Sequence, residues 1–92
     1  MEIRLMDNQI GYELMQGDVQ VGRIVWVLKD SVMVMNGTFI DPSLRGQNAG
    51  ERLLDAAAEY AREHTYQMEA VCPYVVKMFE RHEKYADVKT LK

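Results

Sequence analysis

Two stretches of this chain carry residue types and spacings suited to chemistry. The first is Asp41-Pro42-Ser43-Leu44-Arg45-Gly46-Gln47-Asn48-Ala49-Gly50-Glu51-Arg52-Leu53-Leu54, where an extended apolar run turns through Pro42 and Gly46 into periodic Leu and Ala. A strand that enters a helix through small residues leaves several backbone N–H groups unpaired, with the positive end of the helix dipole behind them. That is an anion site, usually for phosphate; the plain alternative is a strand-to-helix turn that uses Gly for its angles and Arg for solvent. The second stretch is centred on Cys72, the one cysteine, which ends an extended run immediately before Pro73. Proline suits the first turn of a helix, and a sulfur at a helix N-terminus favours the thiolate. The competing reading of an unpaired cysteine is a small buried hydrophobe. His64 falls at the end of a helical pattern and His82 beyond the last one; each is a possible base, and the plainer reading of both is a surface or structural group. Two histidines without a carboxylate cluster at ligand spacing make no metal site.

The elements that must position these residues follow from periodicity. Glu2 to Met6 alternates polar and apolar, Gln9 to Gln16 places Ile10, Tyr12 and Leu14 on one face, and Gly17-Asp18 leads into the β-rich Val19 to Leu28. Lys29-Asp30-Ser31 turns the chain into Val32 to Asp41. Four strands joined by tight turns predict an antiparallel meander. Gly37 inside the fourth suggests a bulge or a close backbone approach, with a simple weak spot as the other reading. From Ala49 to His64, Leu53, Leu54, Ala57, Ala58 and Ala61 make one apolar stripe, opposite Glu51, Arg52, Asp55, Glu59, Arg62 and Glu63. Tyr66 to Cys72 reads as a fifth strand. A helix from Tyr74 to Arg81, opened by Pro73, turns Val75, Val76, Met78 and Phe79 to the sheet. Lys84 to Val88 is expected to add a short final extended segment, and Trp26 and the methionines to fill the core. The order ββββαβα is an α/β (α+β) fold: a mixed sheet whose strands 1–4 are antiparallel, then a strand–helix–strand crossover and a final helix.

At 92 residues the chain is one domain, 1–92, and its 48% apolar content is that of a globular protein. A net charge of −3 argues against general binding to nucleic acid or anionic membrane. One cysteine excludes an internal disulfide framework. Met1-Glu2-Ile3-Arg4 opens no signal-peptide hydrophobic region, and no apolar run reaches the length of a bilayer span. A reduced, soluble, cytoplasmic protein is expected.

The stretch from Ile40 to Gly50 resembles the acetyl-coenzyme A signature of the GNAT N-acetyltransferase superfamily, Gln/Arg-x-x-Gly-x-Gly/Ala. Arg45 and Gly50 match, and Asn48 stands at the central glycine. Cys72-Pro73-Tyr74-Val75-Val76-Lys77-Met78-Phe79-Glu80-Arg81-His82-Glu83-Lys84-Tyr85 resembles the ending of that superfamily's small, minimal members. The resemblance implies that Arg45, Gly46, Gln47, Asn48, Ala49 and Gly50 hold the coenzyme A pyrophosphate on backbone N–H groups. It further implies that the pantetheine arm runs along the splayed end of strand four, at Phe39, Ile40 and Asp41. Asn48 tolerates left-handed angles but adds bulk, and Glu51 sets a carboxylate where a phosphate would approach. The tyrosine that superfamily enzymes often place on the last helix, as acid for the leaving thiolate, corresponds here to Phe79. Phe39 stands where small relatives often carry a polar or acidic side chain. Cys72 is then the remaining catalytic candidate, as base or transient acyl acceptor.

The resemblance implies an acetyl-coenzyme A-dependent N-acetyltransferase-like protein acting on an amine, on a small molecule or a protein, with acetyl-coenzyme A as cosubstrate. A monomer or weak homodimer is expected. The alternatives are a non-catalytic coenzyme A or acyl-coenzyme A binding module and a protein-interaction module on the same fold. So short a chain has no room for the helices that normally wall an acceptor site, so the acceptor is expected to be large, or held by a partner or a second copy.

Overall fold

A computed structural model describes residues 2–44 and 46–90. Its elements are β1 (Glu2–Leu5), β2 (Gly11–Gln16), β3 (Val19–Lys29), β4 (Val32–Ile40), a 3-10 turn (Pro42–Leu44), α1 (Ala49–His64), β5 (Gln67–Ala70), α2 (Pro73–Arg81) and a second 3-10 turn (Glu83–Tyr85). The β3–β4 hairpin closes over Asp30 and Ser31, both at positive φ (54° and 66°), the pairing whose twist suits adjacent antiparallel strands. The sheet order is β1-β2-β3-β4-β5, antiparallel through β4 and parallel between β4 and β5.

Two irregularities shape the functional end. Val25 faces Gly37 while Trp26 faces Met35, so Asn36 is an extra residue and β4 bulges beside the glycine that signalled it. Beyond that point β4 and β5 separate. Their pairing runs only from Val32↔Gln67 to Met35↔Ala70. The N–H groups of Val71 and Cys72 then both donate to the Met35 carbonyl, at 3.2 and 2.9 Å, which carries the chain off into α2. This is why β5 stops at Ala70 and not at Cys72, and it leaves a wedge-shaped gap beside Asn36–Ile40.

The α1 stripe is buried as its spacing requires: Leu53, Leu54, Ala57, Ala58 and Ala61 are all sealed from solvent. They pack in one core with Leu14, Ile24, Trp26, Met33, Met35 and Met68. Val75, Met78 and Phe79 of α2 belong to the same core, so both helices lie on one face of the sheet; Val76 is half-exposed. Alanines on α1 let the helix approach closely, and each fully buried leucine contributes about 1.5–3 kcal/mol. The opposite face carries no helix among the described residues.

The tail differs from the sequence expectation. Lys84 to Val88 forms a 3-10 turn and further turns, not an extended segment. The phenol of Tyr85 donates to Asp55 at 2.7 Å and its ring is buried against Phe79, which coils the chain there. A strand-like bridge forms only afterwards, where Lys89 meets Met68 in parallel. Arg62 locks this tail to α1 through Asp87, at 2.7 Å, and the Lys84 carbonyl, also at 2.7 Å.

Candidate functional site

The loop between β4 and α1 is built from its own backbone. The Asp41 carboxylate accepts the Ser43 N–H at 2.9 Å, the Asp41 carbonyl accepts the Leu44 N–H at 2.9 Å, and Leu44 accepts the Gln47 N–H at 3.2 Å. The Ser43 backbone N–H first, and then the Ser43 hydroxyl, hold the Asp41 carboxyl below its usual range. Gly46 sits at φ 84° and Asn48, the N-cap of α1, at φ 56° and ψ 26°. Asn48 therefore takes the left-handed conformation that its short polar side chain tolerates. Its side chain caps nothing, and its carbonyl accepts the Arg52 N–H at 3.0 Å. The N–H groups of Ala49, Gly50 and Glu51 thus find no acceptor among the described residues and stand at the positive end of a sixteen-residue helix. Arg45 lies outside the described residues.

An open concavity of about 470 Å³ covers these groups, lined by Ile40, Leu44, Gly46, Asn48, Ala49, Gly50 and Tyr74. Gln47 is exposed at its rim. Tyr74, on the first turn of α2, lies directly on Gly50. A Cβ at Gly50 would come within 2.6 Å of the Tyr74 hydroxyl and 2.8 Å of Cζ. Burial first, and then the carboxylates of Glu51 and Asp55, push the Tyr74 phenol above its ordinary value, so it stays protonated and able to donate. The Glu51 carboxylate does not lie free at the helix terminus. Lys84 bonds to it and sits 3.1 Å from Asp55. The bond to Glu51 is the main cause that raises the Lys84 ammonium above its usual range, so the cation is retained there.

The end of β4 reaches this concavity, whose lining includes Ile40. The Asp41 N–H donates to the Val21 carbonyl at 2.9 Å, so β4 residues in phase with Asp41 turn their main-chain groups to β3. By that alternation Phe39 bonds to β3, whereas the N–H and C=O of Thr38 and Ile40 point into the gap. The Phe39 ring lies on the helix-free face, half-exposed, under the Arg23 guanidinium at 5.0 Å. Cys72 is half-buried at the N-cap of α2, on the far wall, with Sγ 3.6 Å from the Thr38 hydroxyl. The structure thus brings Ile40, Gly46, Asn48, Ala49, Gly50 and Cys72 around one gap and loop. It leaves the Phe39 ring outside.

Neither histidine approaches the gap. His64 stacks on Tyr60 at 4.0 Å with Nδ1 2.9 Å from the Tyr60 carbonyl, and His82 closes α2 beside Tyr85. Phe79 is buried in the core against Tyr85. Among the described residues no group of three metal-ligating side chains gathers. Three residues at the site escaped the sequence reading: Thr38, Tyr74 and Lys84. Tyr74 was signalled only by its place after Pro73, and nothing local announced Lys84.

No curated protein sequence matches the chain. Among solved structures, it resembles a GCN5-like protein from Staphylococcus aureus with a TM-score of 0.80 and 24% identity, over 97% of this chain and 87% of that one. An IAA acetyltransferase from Bacillus cereus follows at TM-score 0.62 and 23% identity, over 83% of this chain and 54% of that one. Nourseothricin acetyltransferase gives TM-score 0.56 and 20% identity, over 77% and 45%. These likenesses establish the fold, and the chain spans about half of the latter two. The family model described as GCN5-related N-acetyl-transferase matches residues 11–88. A β4 bulge, a gap beside it and an uncapped helix N-terminus beyond are thus features of a chain that belongs to the GCN5-related N-acetyltransferase family.

Proposed function

We propose that this protein binds acetyl-coenzyme A in the β4–β5 gap and transfers its acetyl group to an amine. The observation that carries the reading is the continuity of two backbone-donor sets. The inward main-chain groups of Thr38 and Ile40 are followed along the chain by the N–H groups of Ala49, Gly50 and Glu51, which find no acceptor among the described residues, and Ile40, Ala49 and Gly50 line one concavity. An extended ligand with amides at one end and phosphates at the other suits such a track. The residues fit that ligand: the loop donors find no acceptor among the described residues, Asn48 keeps the required left-handed turn, and Lys84 offsets the Glu51 carboxylate.

Acetyl-coenzyme A supplies the acetyl group as an activated thioester. The Thr38 N–H at the bulged end of β4 is placed to polarise a carbonyl in the gap. The amine must arrive neutral, so its proton leaves to a base or to water; its nitrogen bonds to the acetyl carbon as the carbon–sulfur bond breaks, and the departing thiolate takes up a proton. The Cys72 thiol and the Thr38 hydroxyl meet across the gap at 3.6 Å. Cys72 serves as the base or as a transient acyl acceptor.

A second reading, binding without turnover, is favoured by one observation. Phe39 and Phe79 exchange no proton, and Phe79 is buried in the core away from the gap. A thermal shift with coenzyme A tests binding. At about a hundred times the dissociation constant the ligand adds roughly 2.7 kcal/mol. No shift at millimolar coenzyme A would sink both readings. Incubation with acetyl-coenzyme A and a pool of amines, wild type beside Cys72→Ala, then separates them. Turnover lost in the variant assigns Cys72 its role, turnover unchanged clears it, and binding without turnover in the wild type leaves the binding module.

A further inference from the structure

The two edges of the sheet differ. At β5 the tail closes the edge: the Met68 N–H donates to the Val88 carbonyl at 2.6 Å, and the Thr90 N–H to the Met68 carbonyl at 3.0 Å. At the other edge β1 pairs with β2 alone among the described residues, and an open edge is a template for another strand. The ladder fixes which main-chain groups it offers. The Met6 N–H donates to the Gly11 carbonyl at 2.9 Å, so Arg4↔Glu13 and Glu2↔Met15, in phase with it, are the bonded pairs. Ile3 and Leu5 therefore turn their N–H and C=O away from β2. Their side chains lie on the helix side of the sheet, since Ile3 stands opposite the buried Leu14; Ile3 packs on the core, and Leu5 is 37% exposed. On the other side lie Glu2 and Arg4, both exposed and 3.9 Å apart at their closest.

We propose that this edge is an interface with a second copy of the chain, in which β1 pairs antiparallel with the same strand of its partner about a two-fold axis at Ile3. Two-fold closure makes every contact reciprocal, and charge then selects the register. With the axis at Ile3, Ile3 and the partner's Ile3 exchange both hydrogen bonds. Glu2 stands opposite the partner's Arg4, and Arg4 opposite the partner's Glu2, in the non-bonded positions where Cα atoms approach to about 4.5 Å. An axis at Glu2 or at Arg4 would set like charges directly opposite one another, which is unfavourable. An axis at Leu5 carries Arg4 to the partner's Met6 and leaves both charges unmatched. An axis between two residues faces outward-pointing main-chain groups with inward-pointing ones and breaks the ladder. The strand's own charge order thus fits a second copy of itself. The strands are short and the ion pairs exposed, so the dimer is weak and reversible. Both helix layers fall on one face of the joined sheet, and the β4–β5 gap of each copy, at the far edge from β1, stays open.

Sedimentation velocity of the whole chain from micromolar to millimolar concentration tests the interface, and the wild type is expected to shift from monomer towards dimer. Glu2→Arg and Arg4→Glu each oppose like charges at two positions, and each should weaken self-association roughly ten-fold or more. Mixed together, the two variants are complementary at both positions, so the mixture should dimerise where neither does alone. Amide hydrogen exchange reads the same contact without a substitution. The Ile3 and Leu5 amides should exchange fast in dilute protein and gain protection as the dimer forms, while the Arg4 amide, bonded to β2, is protected throughout. Arg4→Glu also loses its contact with Glu13, 3.8 Å away; if that variant does not fold, Glu2→Arg and the exchange pattern decide. A monomer at every concentration overturns the inference. So do self-association that Glu2→Arg leaves unchanged, a mixture of folded variants that stays monomeric, and Ile3 and Leu5 amides that remain unprotected in the dimer.

Discussion

Gly50 offers the sharpest check on how the site is assembled, because two effects of known size oppose each other there. A Cβ at this position would lie 2.6 Å from the Tyr74 hydroxyl and 2.8 Å from Cζ, closer than carbon atoms approach in folded proteins. The rigid ring must swing away or α1 must lift, an overpacking penalty of about 1–3 kcal/mol. Against this, replacing glycine by alanine in a helix gains roughly 0.5–1 kcal/mol from reduced backbone entropy in the unfolded chain. Gly50→Ala is therefore expected to destabilise by on the order of 1 kcal/mol, lowering the Tm by roughly 4–8 °C for a domain of this size. In a Tyr74→Ala background the obstacle is gone and only the helix gain remains. The same Gly50→Ala change should then stabilise by about 0.5–1 kcal/mol. The reversal of sign corresponds to a coupling energy of roughly 1–3 kcal/mol in a double-mutant cycle. Urea or thermal unfolding of the four proteins, followed by circular dichroism, measures it. Additive effects, with Gly50→Ala equally unfavourable in both backgrounds, would refute the contact and with it the placement of Tyr74 over the loop.

Other consequences follow from the same geometry. Asn48→Gly keeps the left-handed angle and removes the side chain from the phosphate approach, so coenzyme A should bind more tightly by calorimetry; a looser complex would contradict the loop assignment. Lys84→Met removes an exposed ion pair of little consequence for stability, yet it frees Glu51 at the α1 terminus. Coenzyme A affinity should fall more than stability does, and an unchanged dissociation constant would show that Glu51 is not near the ligand. Arg62 holds the Asp87 carboxyl below its ordinary value of 3.8. That contribution is present above this value and is lost as the pH falls through the lowered one. Asp87→Asn should thus narrow its deficit against the wild type below about pH 4, read as Tm against pH, and a deficit that persists at pH 2 would deny the pairing. Leu53→Ala, at a fully buried site, should cost about 2–5 kcal/mol by urea unfolding; a cost under 1 would mean that α1 does not seal this core.

The local elements of this protein are legible in its residues. Period-two patterning places β1 to β4, Gly17-Asp18 and Asp30-Ser31 place the hairpin turns, and the Leu53-Leu54-Ala57-Ala58-Ala61 stripe fixes which side of α1 is buried. Gly37 marks the bulge, and an asparagine at position 48 carries a left-handed turn. Each of these depends on neighbours a few positions away, where backbone sterics and side-chain periodicity decide the outcome. The tail departs from its local pattern because its conformation depends on Asp55, a long-range partner of Tyr85. For the same reason the sequence was silent on Tyr74 lying over Gly50, on Lys84 drawing Glu51 away from the helix terminus, and on Cys72 facing Thr38. It showed alternation along β3 and β4, but not that both helices would gather on one face and leave Val27, Phe39 and Val71 uncovered beside the gap. Those arrangements exist only once α1 and α2 dock on the sheet, because docking, not local preference, brings side chains from distant segments within reach of one another.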